Sequence, residues 1–334
     1  MDMKTYGLVA DAGGTNVRFA LVDLDEDADM TLLAPRKYPS KSFASIEDAA
    51  RKYFAERELD VPPDSAVLSV AGPVHDNSIC MTNLGWRFSG DDFGKALKVS
   101  DVRLINDYEA IAYSVDLLGG EDVRDIGSAR VVPRQDRETV AIVGPGTGLG
   151  VGGYVRAQGH LIPLVTEGGH VDFAPADDIE ANILKVLRIR FGHVSAERIL
   201  SGPGLSNLYD AMSAISGTAN EALTPHEITR QALADGKSLC AQVLTRFCAI
   251  LGSFAGDVAL TLGARHGVLL AGGILPAIDN FFAASPFRAR FEAKGRFESY
   301  MRDIPTHLIL QDNAGLLGAA FLLRARGTQA MTHK

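Results

Sequence analysis

The densest group of side chains able to do chemistry is the segment TEGGHVDFAP, Thr166 to Pro175. Glu167 and His170 flank two glycines there, and such a pair on a tight loop can accept and donate hydrogen bonds to vicinal hydroxyls, as sugar recognition demands. A zinc site would want a third Cys or His nearby, and only His160 is close in sequence, so zinc is disfavoured. Asp172 reads as a local hydrogen-bonding residue. A second group is Asn106-Asp107, which directly follows the apolar run Val102 to Ile105 and precedes a helical pattern (Ala110, Ile111, Ser114, Val115, Leu118). Ligands of open α/β sheets sit beyond the carboxyl ends of strands, so this carboxylate can be aimed at a substrate hydroxyl to take its proton. Both residues are equally favoured helix N-caps. Glu197, just after the plausible N-cap Ser195, is open to the same two readings: hydroxyl ligand, or an acid favoured at the start of a helix.

Two glycine-rich turns complete the set. Asp11 to Asn16 (DAGGTN) lies between the apolar strand Tyr6 to Ala10 and the alternating run Val17, Phe19, Leu21. It places a carboxylate beside turn amides and the Thr15 hydroxyl, a combination that suits a phosphate and its magnesium ion, although an ordinary hairpin would look the same. Gly144 to Gly150 (GPGTGLG) repeats the design between Val140–Val143 and Val151–Val155, without the carboxylate. Two hairpins of one design suggest two similar lobes facing each other across a cleft. Gly272-Gly273 ends a third apolar strand, Val268 to Leu270, ahead of a helix expected to start at Pro276.

The elements that must carry these residues are those of an α/β protein. Ser45 with Asp48 opens a helix reaching about Glu58; Ser89 with Asp92 caps a helix to Leu97; Gly119-Gly120 stops the helix that follows Asp107. The second half is largely helical: about Asp177 to Phe191 with Gly192 as stop, a helix from the strong start signal Thr224-Pro225-His226-Glu227, and a long apolar helix from Ser238 to Leu262. A last strand, His307 to Leu310, precedes a helix from about Ala314 to Arg324. Trp86, the only tryptophan, reads as a core or lid residue.

Several function classes are excluded or disfavoured. The glycines 148, 150 and 153 fit G-x-G-x-x-G, but a strand pattern follows where a dinucleotide fold needs a helix. Gly236-Lys237-Ser238 has the tail of a Walker loop, with Gln231 where its first glycine should stand. A formal charge of −8 over 334 residues, with no basic run, argues against nucleic acid. Cys80, Cys240 and Cys248 lack any C-x-x-C spacing and read as reduced core thiols of a cytoplasmic protein. No targeting segment is recognisable at the N-terminus, and no stretch is expected to span a membrane.

Read together, DAGGTN at 11–16, LINDY at 104–108, GPGTGLG at 144–150, EGGHVDFAP at 167–175, HVSAERILSGPG at 193–204 and LLAGGI at 269–274 resemble the bacterial glucokinase family. That family belongs to the sugar kinase and actin superfamily, and its repressor-and-kinase branch differs in carrying a cysteine-rich zinc motif. The resemblance runs in order from about Tyr6 to Leu323, with Tyr108 where the family commonly has Phe. It implies a two-lobed ribonuclease-H-like (actin-like ATPase) α/β fold with a central cleft, residues 1–117 plus 311–334 forming a small lobe and 118–310 a large one. It implies ATP-dependent phosphorylation of glucose at the 6-hydroxyl, with Asp107 as base and Asn106, Asp107, Glu167, His170 and Glu197 as sugar ligands. Ala10, Asp11, Ala12, Gly13, Gly14 and Thr15 match the first phosphate loop, Gly144, Gly146, Thr147 and Gly148 the second, and Gly272 and Gly273 the adenosine contact. Asp11 would meet Mg2+ directly or through water. Partners would be glucose, ATP and a second copy of the chain, and neither nucleic acid nor membrane. A DNA-binding sugar sensor would need a helix-turn-helix extension, and an ATPase that moves a protein partner would lack the hydroxyl-binding cluster.

Overall fold

The structure is a computed structural model that describes residues 6–24, 30–59, 61–128, 135–218 and 221–332, with side chains to residue 325. Residues 1–5, on which the expectation about a targeting segment rests, lie outside the described residues. The chain divides into two compact units, Met1–Gly119 with Gln311–Lys334, and Gly120–Leu310.

In the first unit, β1 (Tyr6–Ala12), β2 (Asn16–Asp23), β3 (Leu32–Pro39), β4 (Ser65–Val70) and β7 (Asp101–Asn106) form a sheet in the order β3-β2-β1-β4-β7. The β1–β2 and β2–β3 pairs are antiparallel, and β4 and β7 run parallel to β1. Strands β5 (Ser78–Met81) and β6 (Trp86–Ser89) make a separate hairpin, in which Trp86 is a core residue at 4% exposure. Helices α1 (Ile46–Glu56), α2 (Gly90–Leu97) and α3 (Asp107–Ser114) belong to this unit. Ser45 and Ser89 cap α1 and α2 by accepting from the Asp48 and Asp92 backbone N–H groups, so these start signals act as their spacing requires. Helix α3 ends at Ser114, earlier than the apolar pattern to Leu118 suggested. The half-buried alternation expected of β2 also fails over Ala20 to Val22, which are all buried. The reason is that apolar layers cover both sheet faces: Phe19 and Leu21 pack with Ile46, Tyr53 and Phe93, whereas Ala20 and Val22 pack with Leu316, Ala320 and Leu323. A strand covered on both sides loses its two-residue signature.

The second unit repeats this sheet. Strands β8 (Val123–Asp125), β9 (Arg137–Pro145), β10 (Leu149–Ala157), β11 (His160–Thr166), β12 (Val268–Leu270) and β13 (Thr306–Ile309) lie in the order β11-β10-β9-β12-β13-β8. The β9–β10 and β10–β11 pairs are antiparallel and β9, β12 and β13 are parallel, so β11, β10, β9, β12 and β13 reproduce the order and senses of the first sheet. Strand β8 is an added antiparallel edge. The likeness seen in the two hairpins therefore extends to five strands.

Around this sheet lie α4 (Asp178–Phe191), α5 (Gly202–Ser216), α6 (Pro225–Ala234), α7 (Leu239–Leu262) and four short helices, α8 (Ile274–Ala277), α9 (Asp279–Ala283), α10 (Phe287–Glu292) and α11 (Glu298–Arg302). Asp177 caps α4, Thr224 and Glu227 form the full capping box of α6, and Ser238 caps α7, which accounts for the Walker-like tripeptide. Helix α8 starts at Ile274, so Pro276 sits inside its first turn, where a missing N–H costs nothing. Helix α7 has the length and apolarity of a membrane span, but it is mostly buried at the centre of this unit, beside Leu208, Ile228, Leu270 and Phe287. The chain then returns to the first unit as α12 (Ala314–Thr332), which packs on α3, β1 and β4. The α3–α12 approach is very close: a Cβ added at Gly318 would overlap the Ala110 carbonyl oxygen and stand 2.6 Å from its carbon.

Candidate functional site

In the first unit the sheet delivers Asp11 from the end of β1 and Asn106-Asp107 from the end of β7, with β4 between the two strands. Asp11 faces Arg18 across the β1–β2 hairpin and Ser69 across the parallel β1–β4 pair. Arg18 Nη1 donates to its Oδ2 and Ser69 Oγ to its Oδ1, both at 3.2 Å. Burial pushes the Asp11 carboxyl above the usual carboxylate range, and the Arg18 guanidinium and the Ser69 hydroxyl pull it only part of the way back. A Cβ at Gly315, in the first turn of α12, would stand 3.0 Å from Asp11 Cγ, so the helix start lies directly on the carboxylate. Arg18, Ser69 and Gly315 were not singled out by sequence; the Arg18 partnership follows from hairpin register alone, while the other two depend on the assembled sheet and helix.

The turn after Asp11 is held from below. Gly13 N–H donates to Asn16 O, Ser40 N–H to Thr15 O and Ser40 Oγ to Gly13 O, each at 2.9 Å. A Cβ at Gly13 would meet only Asn16 O at 3.5 Å, an ordinary contact, so the fold itself does not demand glycine there. Glycine instead leaves that backbone open to close approach by a ligand.

Asn106 ends β7 and caps α3. Its Oδ1 accepts the Tyr108 N–H at 2.9 Å and its Nδ2 donates to Gly72 O at 3.0 Å, and the residue is 6% exposed. The capping role open in the sequence is real, and it leaves the amide at most one further hydrogen and lone pair for a ligand. Asp107, the first residue of α3, is partly exposed, where the positive end of the helix favours negative charge. Glu109 completes the device: half-buried near Arg103, with its carboxyl raised mainly by that partial burial, it accepts a hydrogen bond from the Asn106 backbone. Sequence reasoning passed over Glu109, although its spacing of three from Asn106 is a capping-box signal.

In the second unit Glu167 precedes and His170 ends a single 3-10 turn, Gly168–His170, with His170 N–H donating to Glu167 O at 3.0 Å. Both side chains are exposed, and His170 Nε2 lies 4.0 Å from Glu167 Oε2. A Cβ at Gly169 would overlap the Leu149 carbonyl, so this glycine lets the loop seat on β10. Two backbone bonds, Phe173 N–H to Val194 O and Ala196 N–H to Val171 O, each 2.9 Å, tie the loop to the segment bearing Glu197. Asp172 pairs with His193 at 2.7 Å on the surface, a local role. Ser195 occupies the cap position of the turn Ala196–Arg198, but its side chain makes no capping bond. Glu197 Oε2 accepts the Leu149 N–H at 2.8 Å, so this acid is committed to the second glycine turn rather than to its own helical turn.

That turn closes more tightly than the first, with Gly146 N–H donating to Gly148 O, two residues on, at 2.8 Å. A Cβ at Gly146 or at Gly273 would meet nothing within 4 Å, whereas Gly272 has φ +84° and its Cβ would stand 2.8 Å from the Pro145 carbonyl carbon. Gly272 is thus demanded by backbone geometry, and Gly146 and Gly273 present open backbone. Strand β10 runs on from Leu149 to Ala157, which removes the dinucleotide reading of glycines 148, 150 and 153.

Among the described residues no three His, Cys, Asp or Glu side chains gather as a metal cage. A magnesium ion held by a nucleotide's phosphates needs only one or two protein carboxylates, and Asp11 fits that requirement: each of its oxygens has one partner and keeps a lone pair.

Comparison with known proteins is consistent along the whole chain. The family model described as Glucokinase matches residues 8–326. A glucokinase of Caulobacter vibrioides is 47% identical over 329 residues, covering 98% of this chain and 97% of that protein. One of Shigella dysenteriae serotype 1 is 43% identical over 322 residues, covering 96% and 98%. Among solved structures, a glucokinase from an Antarctic psychrotroph superposes with a TM-score of 0.81 at 36% identity, covering 97% of this chain and 100% of the other.

Proposed function

The chain belongs to the glucokinase family, and we propose that it transfers the γ-phosphoryl group of ATP to the 6-hydroxyl of D-glucose, yielding glucose 6-phosphate and ADP. The observation that carries this reading is the family-model match over residues 8–326, together with a relative 47% identical over 329 residues. The chain has the α/β fold of that family, with one glycine-turn hairpin in each unit. In this reading the first unit is the small lobe and the second the large lobe.

The roles follow from the local geometry. Glu167, His170 and Glu197 take the sugar hydroxyls, as exposed or half-exposed acceptors and donors on braced turns. Asn106, whose side chain mainly fixes the start of α3, can add one donated and one accepted hydrogen bond to the sugar and keeps Asp107 in place. Asp107 orients the 6-hydroxyl and accepts its proton late in the transfer. As the O6–P bond forms, the bond from Pγ to the bridging oxygen breaks and ADP leaves with that electron pair. The glycine turns at residues 13–15 and 146–148 lie against the phosphate oxygens, and Gly272-Gly273 lies against the adenosine. Magnesium on the nucleotide supplies charge neutralisation, with Asp11 as its protein contact. The reading includes a homodimer working in the cytoplasm; Cys240 and Cys248 are buried free thiols, as a reducing compartment allows, whereas Cys80 is exposed and not the core thiol expected of it.

The test is ADP release from Mg-ATP with glucose, mannose and fructose, followed by identification of the sugar phosphate. Glucose is expected to be the best substrate. Asp107→Ala is expected to lower kcat by about 10²–10⁴ while glucose binding measured by calorimetry is largely kept. No ester from glucose would defeat the functional reading; wild-type turnover in Asp107→Ala would defeat only the base assignment.

A further inference from the structure

Within the second unit the glycine turn 146–148 is held by Glu197, assigned to the sugar, and by Gly202, five residues further on. Leu149 N–H donates to Glu197 Oε2 at 2.8 Å, and Gly202 N–H donates to Gly146 O at 2.8 Å. A Cβ at Gly148 would stand 2.5 Å from Glu197 Oε2 and 3.3 Å from its Cδ. A methyl group at Gly148 would therefore have to displace the Glu197 carboxylate, whereas one at Gly146 would meet open surroundings. The Glu197 backbone is fixed in turn, since its carbonyl accepts the Ser201 hydroxyl at 2.8 Å. The sugar loop presses on the same turn through Gly169 and Leu149.

We propose that Glu197 is a positioning residue for the nucleotide as well as a sugar ligand: one carboxylate oxygen holds the second phosphate turn in its receiving shape while the other accepts a sugar hydroxyl. Sugar occupancy and nucleotide affinity are then coupled through one side chain inside one unit, and the coupling is reciprocal. The inference deepens the kinase reading and rests on it. A side chain serving the sugar alone would leave nucleotide affinity untouched when no sugar is present, which makes the two roles separable.

The experiment uses the full chain, with calorimetric titration of Mg-AMPPNP in the absence of sugar and of glucose in the absence of nucleotide. Glu197→Ala is expected to bind Mg-AMPPNP about tenfold more weakly, the scale of one lost hydrogen bond to a charged group. Glu197→Gln keeps an oxygen that can accept the Leu149 N–H; it is expected to hold nucleotide affinity within about threefold of wild type while glucose binding falls about tenfold. Gly148→Ala, which displaces the carboxylate, is expected to weaken glucose as well as nucleotide. Unchanged or tighter nucleotide binding in Glu197→Ala overturns the proposal, because the turn then needs no brace or charge repulsion outweighs it. Equal loss in Glu197→Gln also overturns it, leaving charge rather than the hydrogen bond as the cause. Should Gly148→Ala not fold, the two Glu197 variants decide. These outcomes are distinct from failure of the kinase reading, which is wild-type protein making no ester from glucose.

Discussion

Gly318→Ala is the sharpest test of how the fold places Asp107, the proposed base. Gly318 lies on α12 against α3, whose first residue is Asp107. The added Cβ would stand 2.6 Å from the Ala110 carbonyl carbon and 3.2 Å from its Cα. Carbon atoms settle at roughly 3.5–4.0 Å, so the helices must part by about 1 Å. Both partners are backbone, so no rotamer change can relieve the overlap, and the cost belongs at the upper end of the ~1–3 kcal/mol seen for overpacking. Replacing glycine by alanine inside a helix returns about 1 kcal/mol. The net expectation is about 2 kcal/mol of destabilisation, or a Tm lower by roughly 4–8 °C at the scale of a domain this size. A displacement of about 1 Å at the base of α3 also misplaces Asp107, and kcat is expected to drop by about 10- to 100-fold. Differential scanning calorimetry and steady-state kinetics measure the two effects. Gly236→Ala, whose Cβ meets nothing within 4 Å, is the control and should match wild type. A rise in Tm for Gly318→Ala would refute the close crossing. A lower Tm with unchanged kcat would refute the dependence of Asp107 on α12.

Other consequences can be checked separately. The Asp11 carboxyl titrates above its unfolded value, so its contribution to stability is complete below the ordinary carboxylate range and is lost as pH rises through the folded value. Ligand-free Asp11→Asn should therefore melt higher than wild type at pH 7, with the gain vanishing below about pH 4, while its KM for Mg-ATP rises; a lower melting temperature at pH 7 would contradict the raised carboxyl. Gly272→Ala must hold φ +84° and crowd Pro145, so KM for ATP should rise with glucose affinity unchanged, as calorimetry and kinetics can establish. Glu180, fully buried, accepts from Arg246 and from both Arg290 Nη atoms, and Glu180→Leu should cost about 1.5–3 kcal/mol in denaturant melts by stripping these half-buried guanidinium groups of a shared acceptor while Arg246 keeps Asp177 and Arg290 keeps Ser253.

What could be read from the chain was whatever is encoded over a few residues. Caps at Ser45, Ser89, Asp177, Thr224 and Ser238 bond a backbone N–H three residues on, so the signal and its partner lie in one short window. The two glycine hairpins were legible for the same reason, and their likeness foretold a duplication that the sheets carry to five strands. Even the Asp11–Arg18 pair follows from counting back across the first turn.

Tertiary structure decided everything that depends on register between distant strands or on how closely two backbones approach. Ser69 reaches Asp11 from 58 residues away, Glu197 reaches Leu149 across 48, and Arg290 reaches Glu180 across 110. No local pattern specifies such pairs, because many partners satisfy the same side chain until packing selects one. The glycines make the point most clearly. Gly146 and Gly148 are two letters apart in one motif, yet one presents open backbone and the other makes room for Glu197. The sequence determined that a turn stands there; only the packing of the 193–204 segment against it decided which glycine faces a ligand and which faces the protein.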